Sequence, residues 1–104
     1  MVIDHRTYTV RANTISEYVK LFESEGLPIF AKYCGDPIGY FIASIGPLNQ
    51  VVHLWGYDSL ADMEKKRTAR DADKAWWAYR QKSMDYIVAQ ENKILVPASF
   101  SKIK

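Results

Sequence analysis

Cysteine is nearly absent from this chain, in which Cys34 is the single thiol among 104 residues. One cysteine excludes an internal disulfide framework and is typical of a reducing compartment, so we expect a cytoplasmic protein. No apolar run approaches the roughly 20 residues of a membrane span, and Asp4, His5 and Arg6 interrupt the start of the chain. We therefore expect neither a signal peptide nor a membrane partner.

A large excess of charge of one sign is absent as well. The 14 Lys and Arg residues and the 12 Asp and Glu residues leave a formal charge of +2. The densest basic group, at positions 65–67 and 70, is interleaved with acids along what looks like an exposed helical surface. Dispersed charge of this kind is not the basic surface that nucleic acid requires, so we expect no nucleic-acid partner.

Motifs that bind metals or nucleotides are missing too. The chain has two histidines and one cysteine, with no HxH, CxxC or HExxH spacing, so it offers no recognisable metal ligand set. It also lacks a GxSxG motif, a phosphate-binding glycine loop and a dinucleotide fingerprint. We expect neither a metal nor another cofactor.

The chain does contain an apolar segment, GYFIASIGPLNQVVHLWGY at positions 39–57, with turn residues at 46–49. The runs at 41–45 and 51–55 are rich in β-branched and aromatic residues and too short for helices, which predicts a β-hairpin. Because the second run does not alternate between apolar and polar side chains, both faces of the hairpin must be covered. The helices of so short a chain can cover one face, and we expect a second copy to cover the other.

The segments before the hairpin predict a strand and a long helix. Residues 2–10 alternate loosely and are expected to form the first strand. Positions 14–17 have the spacing of a capping box, in which Thr14 and Glu17 would satisfy each other's backbone donors. An apolar stripe then continues to Tyr33, with a kink expected around 26–28 because Pro28 cannot donate a backbone hydrogen bond.

The segments after the hairpin predict a further helical region and a last strand. Ser59 is expected to open a helix to about Arg70, and Asp73 to cap another containing residues 76–84. Residues 86–96 are expected to form an edge strand. The resulting fold class is α+β, a ferredoxin-like βαββαβ domain with a four-stranded antiparallel sheet.

Four stretches are specific enough to indicate a family. They are HRTYTVRANTISEYVKLFE at 5–23, EGLPIFAKYCG at 25–35, IGYFIASIGPLNQVVHLWGYDSLADM at 38–63 and QENKIL at 90–95. Together they resemble the NIPSNAP family across essentially the whole chain. The resemblance implies a single NIPSNAP-like domain over residues 1–104, and a homodimer of the dimeric α/β-barrel type in which two sheets pair face to face.

The same resemblance says little about activity. NIPSNAP proteins are not established enzymes, whereas the wider superfamily holds cofactor-independent monooxygenases, isomerases and haem enzymes. Related haem enzymes usually take their ligand from a helix, and the helices predicted here contain no histidine. Fold analogy alone does not choose among these functions.

His53 is the first candidate for chemistry because, of the hairpin's side chains before Asp58, it alone has an ordinary pKa near neutrality. An imidazole titrates near neutrality and can deprotonate a phenol or an enolisable ketone in a dry pocket. The alternative is a buried structural histidine, or one that seals a dimer interface. Glu91 or Asp4 could orient its ring if the strand register brings them together.

Several residues are candidates for ligand binding near His53. Trp55 is predicted to share the sheet face of His53, where it would line a flat ligand's site or form part of the core. The other ligand-binding candidates are Tyr8, Tyr40 and Trp76. For Trp76, packing against the sheet is the favoured alternative.

Arg6 and Asn49 complete the catalytic candidates. Arg6 could hold a carboxylate or an enolate oxygen, although an ion pair with Asp4 or Glu91 is the favoured alternative. Asn49 could orient a ligand or the partner subunit from the hairpin tip, or act as an ordinary turn residue. The polar side chains at 90–92 must find hydrogen-bond partners in a pocket, at a dimer contact or in solvent.

The function that these observations favour is a homodimer binding a small apolar or aromatic molecule near His53. A first alternative is a cofactor-independent monooxygenase or isomerase with His53 as base, Arg6 or Asn49 stabilising an oxyanion and Trp55 excluding water. A second is a non-catalytic interaction scaffold in which the same residues only seal the dimer.

Overall fold

The computed structural model describes residues 1–104. It contains one antiparallel sheet, formed by the first strand, the last strand and the central hairpin. Its strands are β1 (Val2–Val10), β2 (Gly39–Ile42), β3 (Gln50–Tyr57) and β4 (Ile87–Leu95). They lie in the order β2-β3-β1-β4, which is that of a ferredoxin-like sheet. The predicted α+β class, strand count and edge position of the last strand are confirmed.

The helical layer comprises α1 (Ile15–Leu21), α2 (Leu27–Tyr33), α3 (Leu60–Asp71) and α4 (Lys74–Ser83). None of these helices has both the length and the apolar character needed to span a membrane. One hydrophobic cluster lies between them and the sheet, with Phe22 and Phe30 packing near Trp55, Trp76 and Tyr79. The core therefore lies on one side of the sheet.

The strand register assigns each residue to a side of the sheet. Arg6 of β1 pairs with His53 of β3, and Asp4 pairs with Trp55. Because directly paired residues share a side, these four point toward the helices, and we call that side the helix face. The other side, which we call the open face, carries Val52 and Leu54 among others. The lack of alternation in β3 thus reflects apolar side chains on both faces.

The first helical segment runs without a break from residue 15 to 33, but a π-helical turn, Phe22–Gly26, separates α1 from α2. The irregularity lies before Pro28 rather than around it, because Pro28 occupies the first turn of α2, where its missing donor has little cost. Gly26 is required in that turn, since a Cβ there would lie 2.7 Å from the Phe22 ring and 2.8 Å from that of Tyr79.

Two of the three predicted helix caps are present. Ser59 Oγ accepts a hydrogen bond from the Asp62 N–H at 3.0 Å, and an Asp73 carboxylate oxygen accepts one from the Ala75 N–H at 2.8 Å. The capping box at 14–17 is wrong, because the Thr14 hydroxyl donates to the Arg11 carbonyl instead, at 2.6 Å. Thr14 is therefore turned back toward the preceding loop.

The hairpin is confirmed, with a shorter first strand than the expected 41–45. Pairing between β2 and β3 ends at Ile42 opposite Val51, and the backbone then leaves the sheet. Gly46 and Asn49 adopt positive φ values of 101° and 65°, the left-handed conformation that turn residues of these types tolerate best.

Candidate functional site

A cavity of about 240 Å³ lies between the sheet and the helical layer. The strands contribute Arg6, Tyr8 and His53 to its wall. The helical layer contributes mostly aromatic and basic side chains, chiefly Phe22, Phe30, Arg67, Arg70, Trp76, Tyr79 and Arg80. This volume lies just below the usual range for ligand pockets, roughly 300 to 1,000 Å³, which suits a ligand of about one ring.

The hydrogen bonding of His53 assigns its tautomer. The indole N–H of Trp55 donates to Nδ1 of His53 at 2.6 Å, so Nδ1 carries a lone pair and the neutral ring holds its proton on Nε2. Nε2 is buried and has no partner within the protein. His53 therefore presents one unused hydrogen-bond donor, and it belongs to the cavity wall.

Burial keeps this imidazole neutral. The pKa of His53 is lowered from 6.5 to about 3, first by desolvation and then by the positive charge of Arg6 and by His5. At neutral pH the ring is thus an uncharged donor with its acceptor nitrogen already occupied. This state favours hydrogen bonding to a ligand oxygen over removal of a substrate proton.

Aromatic neighbours hold the His53 ring from two directions. Tyr40 stacks on it with ring centres 4.7 Å apart, and Phe22 stacks on Tyr40 at 4.9 Å with its own ring centre 6.3 Å from that of His53. Tyr8 meets the imidazole edge-on at 4.8 Å. Tyr40, a predicted ligand-binding residue, is absent from the cavity wall and contacts the site through this stacking on His53.

Arg6 is part of a buried chain of hydrogen bonds along β1. Its Nε donates to an Asp4 carboxylate oxygen at 2.8 Å and its Nη1 to the Tyr8 hydroxyl at 2.8 Å, while Nη2 has no partner. Burial would lower the pKa of Arg6, but Tyr8 and Asp4 outweigh it and the pKa is raised. The pairing with Asp4 is confirmed, whereas Glu91 lies opposite Thr7 on the open face.

Neither predicted carboxylate orients His53. Asp4 bonds to Arg6, and the group that contacts the imidazole is Trp55, two positions along the same strand. Trp55 is fully buried, stacks on Phe30 at 4.1 Å, and lies behind the cavity wall. It combines the expected core role with a positioning role that sequence reasoning did not foresee.

Of the remaining candidates, Tyr8 and Trp76 line the cavity and Asn49 does not. Asn49 lies in the hairpin turn, where its carbonyl accepts a hydrogen bond from the Val10 N–H at 2.8 Å. Gln90, from the polar run of the last strand, also reaches the wall. The wall holds one histidine and no carboxylate or thiol, so it offers a metal ion a single ligand of the usual kinds.

Sequence reasoning missed the two arginines of α3 that line the cavity, Arg67 and Arg70. Arg70 is only 3% exposed, and its guanidinium carbon lies 4.3 Å from the centre of the Trp76 ring. The mixed charges of α3 predicted an exposed surface, but Met63, Arg67 and Arg70 follow at four- and three-residue steps and share one side of the helix. That spacing was the available signal.

Comparison with known proteins identifies the family. The NIPSNAP family model matches residues 3–102. The chain belongs to the NIPSNAP family. The resemblance inferred from the sequence is confirmed, and it extends over nearly the whole chain.

The NIPSNAP relatives include much longer proteins. A Caenorhabditis elegans protein named as a NipSnap protein is 26% identical over 103 residues, which are 99% of this chain and 19% of the relative. Human NipSnap homolog 3B is 36% identical over 67 residues, which are 64% of this chain and 27% of the relative. The chain thus spans about a fifth to about a quarter of the length of these curated relatives.

Solved structures agree with the fold. Protein Atu4242 from Agrobacterium tumefaciens is 38% identical, covers 100% of both chains and has a TM-score of 0.96. A NIPSNAP-like domain protein from Burkholderia xenovorans is 44% identical over 96% of this chain and 87% of that one, with a TM-score of 0.91. A structure described as an antibiotic biosynthesis monooxygenase, 10% identical over 94% of this chain and 99% of that one with a TM-score of 0.66, shows the shared fold alone.

Proposed function

We propose that this NIPSNAP chain binds a small apolar or aromatic molecule in the cavity beside His53. The observation that carries the proposal is the unpartnered Nε2 of His53 in a wall that consists largely of aromatic and basic side chains. A buried donor without a partner costs free energy that a ligand oxygen would recover. The surrounding rings would pack on the flat body of the ligand.

A thermal-shift screen with neutral phenols, quinones and aromatic amides tests this proposal. We expect at least one of these compound classes to raise the Tm of the protein by mass action. His53→Asn keeps an oxygen near the Nδ1 position for the Trp55 indole but removes the Nε2 donor, and we expect it to bind that class about tenfold more weakly. His53→Gln, whose amide reaches the Nε2 position, should bind more tightly than His53→Asn.

The interaction scaffold is the alternative outcome of that screen. If no compound stabilises the protein, and if His53→Asn and His53→Gln lower the Tm equally, His53 has only a packing role and the scaffold becomes the better explanation. His53 faces the helices of its own chain and is 2% exposed. A scaffold role would therefore act through the core and not through a surface that His53 seals.

A cofactor-free oxygenase or isomerase is the second candidate function, and the donor state of His53 favours one form of it. The hypothesis that His53 is the base stays a prediction, which the occupied Nδ1 and the lowered pKa do not favour. In the form that the geometry supports, a phenol or an enolisable ketone loses its proton to a water molecule, and His53 Nε2–H donates to the substrate oxygen as it becomes negative. Arg6 would add a second hydrogen-bond donor, its unpartnered Nη2.

Turnover assays separate this candidate from simple binding. Compounds that raise the Tm are incubated with the protein, and oxygen consumption and proton exchange into the compound are followed. An enzyme should lose turnover more than affinity in His53→Asn, because the donor acts most strongly on the charged oxygen. Binding without any turnover would leave a ligand-binding protein.

A homodimer is the assembly that we propose, formed through the open face. The support is the apolar character of that face, where Val52 and Leu54 are half-buried and Phe41 is 55% exposed. A second copy of the same chain would cover these side chains and remove them from water. The helices would then lie on the outside of the assembly.

The cytoplasm is the compartment that we propose. Its support is Cys34, which is buried and forms no disulfide. A thiol in this state is typical of proteins in reducing compartments. Fractionation of cells that express the full-length protein would test the proposal, and recovery with a secreted or membrane fraction would contradict it.

A further inference from the structure

The cavity has a one-sided charge. Four arginines reach its wall, Arg6 from β1, Arg67 and Arg70 from α3, and Arg80 from α4, whereas no Asp or Glu does. They come from three separate elements, so the fold brings them together. A cavity lined by cations without anions favours a negatively charged occupant.

The wall also collects hydrogen-bond donors that nothing in the chain satisfies. Four of the buried polar atoms without a partner lie on wall residues, namely Arg6 Nη2, His53 Nε2, Arg70 Nη1 and Trp76 Nε1. In the neutral tautomer of His53 all four carry hydrogen. Buried donors are rarely left unpaired, and a set of donors without acceptors matches a ligand group that only accepts, such as a carboxylate.

The two buried arginines differ in how much of their charge is compensated. Arg6 lies 2.8 Å from the carboxylate of Asp4, whose side chain is 1% exposed, so its positive charge is neutralised within the core. Arg70 pairs with Asp71, whose side chain is 46% exposed, so solvent weakens that compensation. The charge of Arg70 is therefore the one that a ligand in the cavity would meet.

The packing of Arg70 holds it in place without removing its charge. Its guanidinium carbon lies over the rings of Trp76 and Phe30, at 4.3 Å and 5.1 Å from their centres. Its Nε and Nη2 both donate to one Asp71 oxygen, at 3.0 Å and 2.9 Å. These contacts leave Nη1 as the free nitrogen, on a guanidinium whose orientation is already determined.

We propose that the natural ligand is an aromatic or apolar carboxylate whose negative group is recognised by the buried Arg70 guanidinium, through its unpartnered Nη1, in the cavity beside His53. This inference rests on the proposed function and specifies its ligand class. Arg6 Nη2, Trp76 Nε1 and His53 Nε2 supply further donors to the ligand's oxygens. Arg67 and Arg80 add positive charge that attracts an anion to the cavity.

Matched pairs of carboxylates and primary amides test the ligand class, because the two have nearly the same shape and differ in charge. Isothermal titration of phenylacetate against phenylacetamide, and of indole-3-acetate against indole-3-acetamide, gives the ratio of their affinities. We expect the carboxylate of at least one pair to bind roughly tenfold to hundredfold more tightly than its amide.

Variants of Arg70 assign the effect to one residue. Arg70→Gln should bring the carboxylate-to-amide ratio to about twofold or less while the amide still binds, which also shows that the variant is folded. Arg70→Lys keeps the charge without the planar fork and should retain part of the ratio. Arg11→Gln removes an exposed arginine outside the cavity wall and should leave the ratio unchanged.

The outcomes separate this inference from the function on which it rests. Amides that bind as tightly as carboxylates would overturn the anion preference and leave the cavity function standing. Inorganic phosphate that binds as tightly as the carboxylates, and displaces them, would overturn the ligand class. A carboxylate preference that survives undiminished in Arg70→Gln would overturn the role of Arg70. If neither pair binds and no neutral compound raises the Tm, both the inference and the cavity function are wrong.

Discussion

His53 illustrates how one contact decides the chemistry of a residue. An isolated histidine titrates near neutrality and can act as a base. Here the Trp55 indole donates to Nδ1 and burial lowers the pKa of the ring to about 3. The same residue becomes a neutral donor. Its buried Nε2–H has no partner within the protein, which lowers the stability of the fold, and a ligand oxygen would supply that partner.

The depressed pKa of His53 predicts a specific loss of stability in mild acid. Between pH 6.5 and about 3, the unfolded chain binds a proton at His53 that the folded protein does not. The stability that the neutral His53 contributes to the folded protein is therefore complete above about pH 6.5 and is lost as the pH falls toward 3. We expect the free energy of unfolding to fall by about 1.4 kcal/mol per pH unit from this group alone.

Denaturant titrations of the wild type and His53→Gln at several values from pH 6 to 4.5 measure this slope. His53→Gln should show a shallower dependence on pH than the wild type, by about that amount. His5→Gln removes the other histidine, which lies on the open face, and should keep the steeper slope. Parallel curves for the wild type and His53→Gln would contradict a depressed pKa at His53.

The pair of Asp4 and Arg6 predicts a large effect from a single substitution. Asp4→Ala leaves the Arg6 charge buried without its counter-ion, which typically costs about 3 to 5 kcal/mol of stability. Glu25→Gln breaks the exposed pair between Glu25 and Lys82 and should cost less than about 1 kcal/mol. Equal losses in the two variants, measured by chemical denaturation, would show that Arg6 finds another partner or solvent.

At the scale of elements, the π-helical turn Phe22–Gly26 determines which helical side chains reach the cavity. It changes the side of the helix that faces the sheet, so Phe22 from the turn and Phe30 from α2 both enter the core. Gly26 lets the turn approach the Tyr79 ring of α4. The rings of Phe22 and Tyr79 lie against this glycine, and both belong to the cavity wall.

Gly26→Ala should therefore destabilise the protein although alanine is the better helix former. The gain in helix propensity is about 1 kcal/mol, whereas the new methyl group would lie 2.7 Å from the Phe22 ring and 2.8 Å from the Tyr79 ring, both of which are buried. Overpacking of this kind costs about 1 to 3 kcal/mol, so we expect a net loss in thermal denaturation. Ser24→Ala in the same turn is exposed and should change stability by less than about 0.5 kcal/mol.

At the scale of the whole molecule, the sheet has one covered and one uncovered side. The helices bury the helix face, while the open face shows the half-buried Val52 and Leu54 and the more exposed Phe41. A domain of this size buries a modest fraction of its surface. Pairing of two open faces would enlarge the buried apolar area without adding residues.

The proposed dimer predicts that charge on the open face dissociates the protein. Phe41 is 55% exposed on that face, and Leu60 is 56% exposed at the start of α3 on the helical side. We expect the wild type to elute in multi-angle light scattering with the mass of two 12.0 kDa chains. Phe41→Lys should shift it toward one chain, since a buried charge opposes association, while Leu60→Lys should not. A monomeric wild type at micromolar concentration would contradict the proposal.

Much of the fold could be predicted from the sequence because the responsible interactions are local. Strand-forming runs on either side of the turn at 46–49 predict the hairpin, and the oxygens of Ser59 and Asp73 predict two helix starts within a few residues of themselves. Thr14 has the same chemistry and does not cap, because its hydroxyl finds the Arg11 carbonyl. The sequence near a helix start identifies which side-chain oxygens could cap it. Whether the cap forms depends on the other hydrogen-bond partners within reach of that side chain.

The candidate site was less predictable because it depends on contacts between distant segments. Of the seven residues that the sequence singled out, four line the cavity, namely Arg6, Tyr8, His53 and Trp76, whereas Tyr40, Asn49 and Trp55 do not. The sequence could not say which sheet face carries His53, since a shift of one residue in register would reverse every side chain.

Arg70 shows the same limit from the opposite direction. A charged helix is expected to lie in water, and only the packing of α3 and α4 against the sheet brings this arginine between Phe30 and Trp76. The alternation of apolar and polar residues, turns and helix caps are properties of short segments, so they can be predicted from the sequence. Burial, tautomer and uncompensated charge arise from segments far apart in the chain, so they exist only once the helices have packed on the sheet.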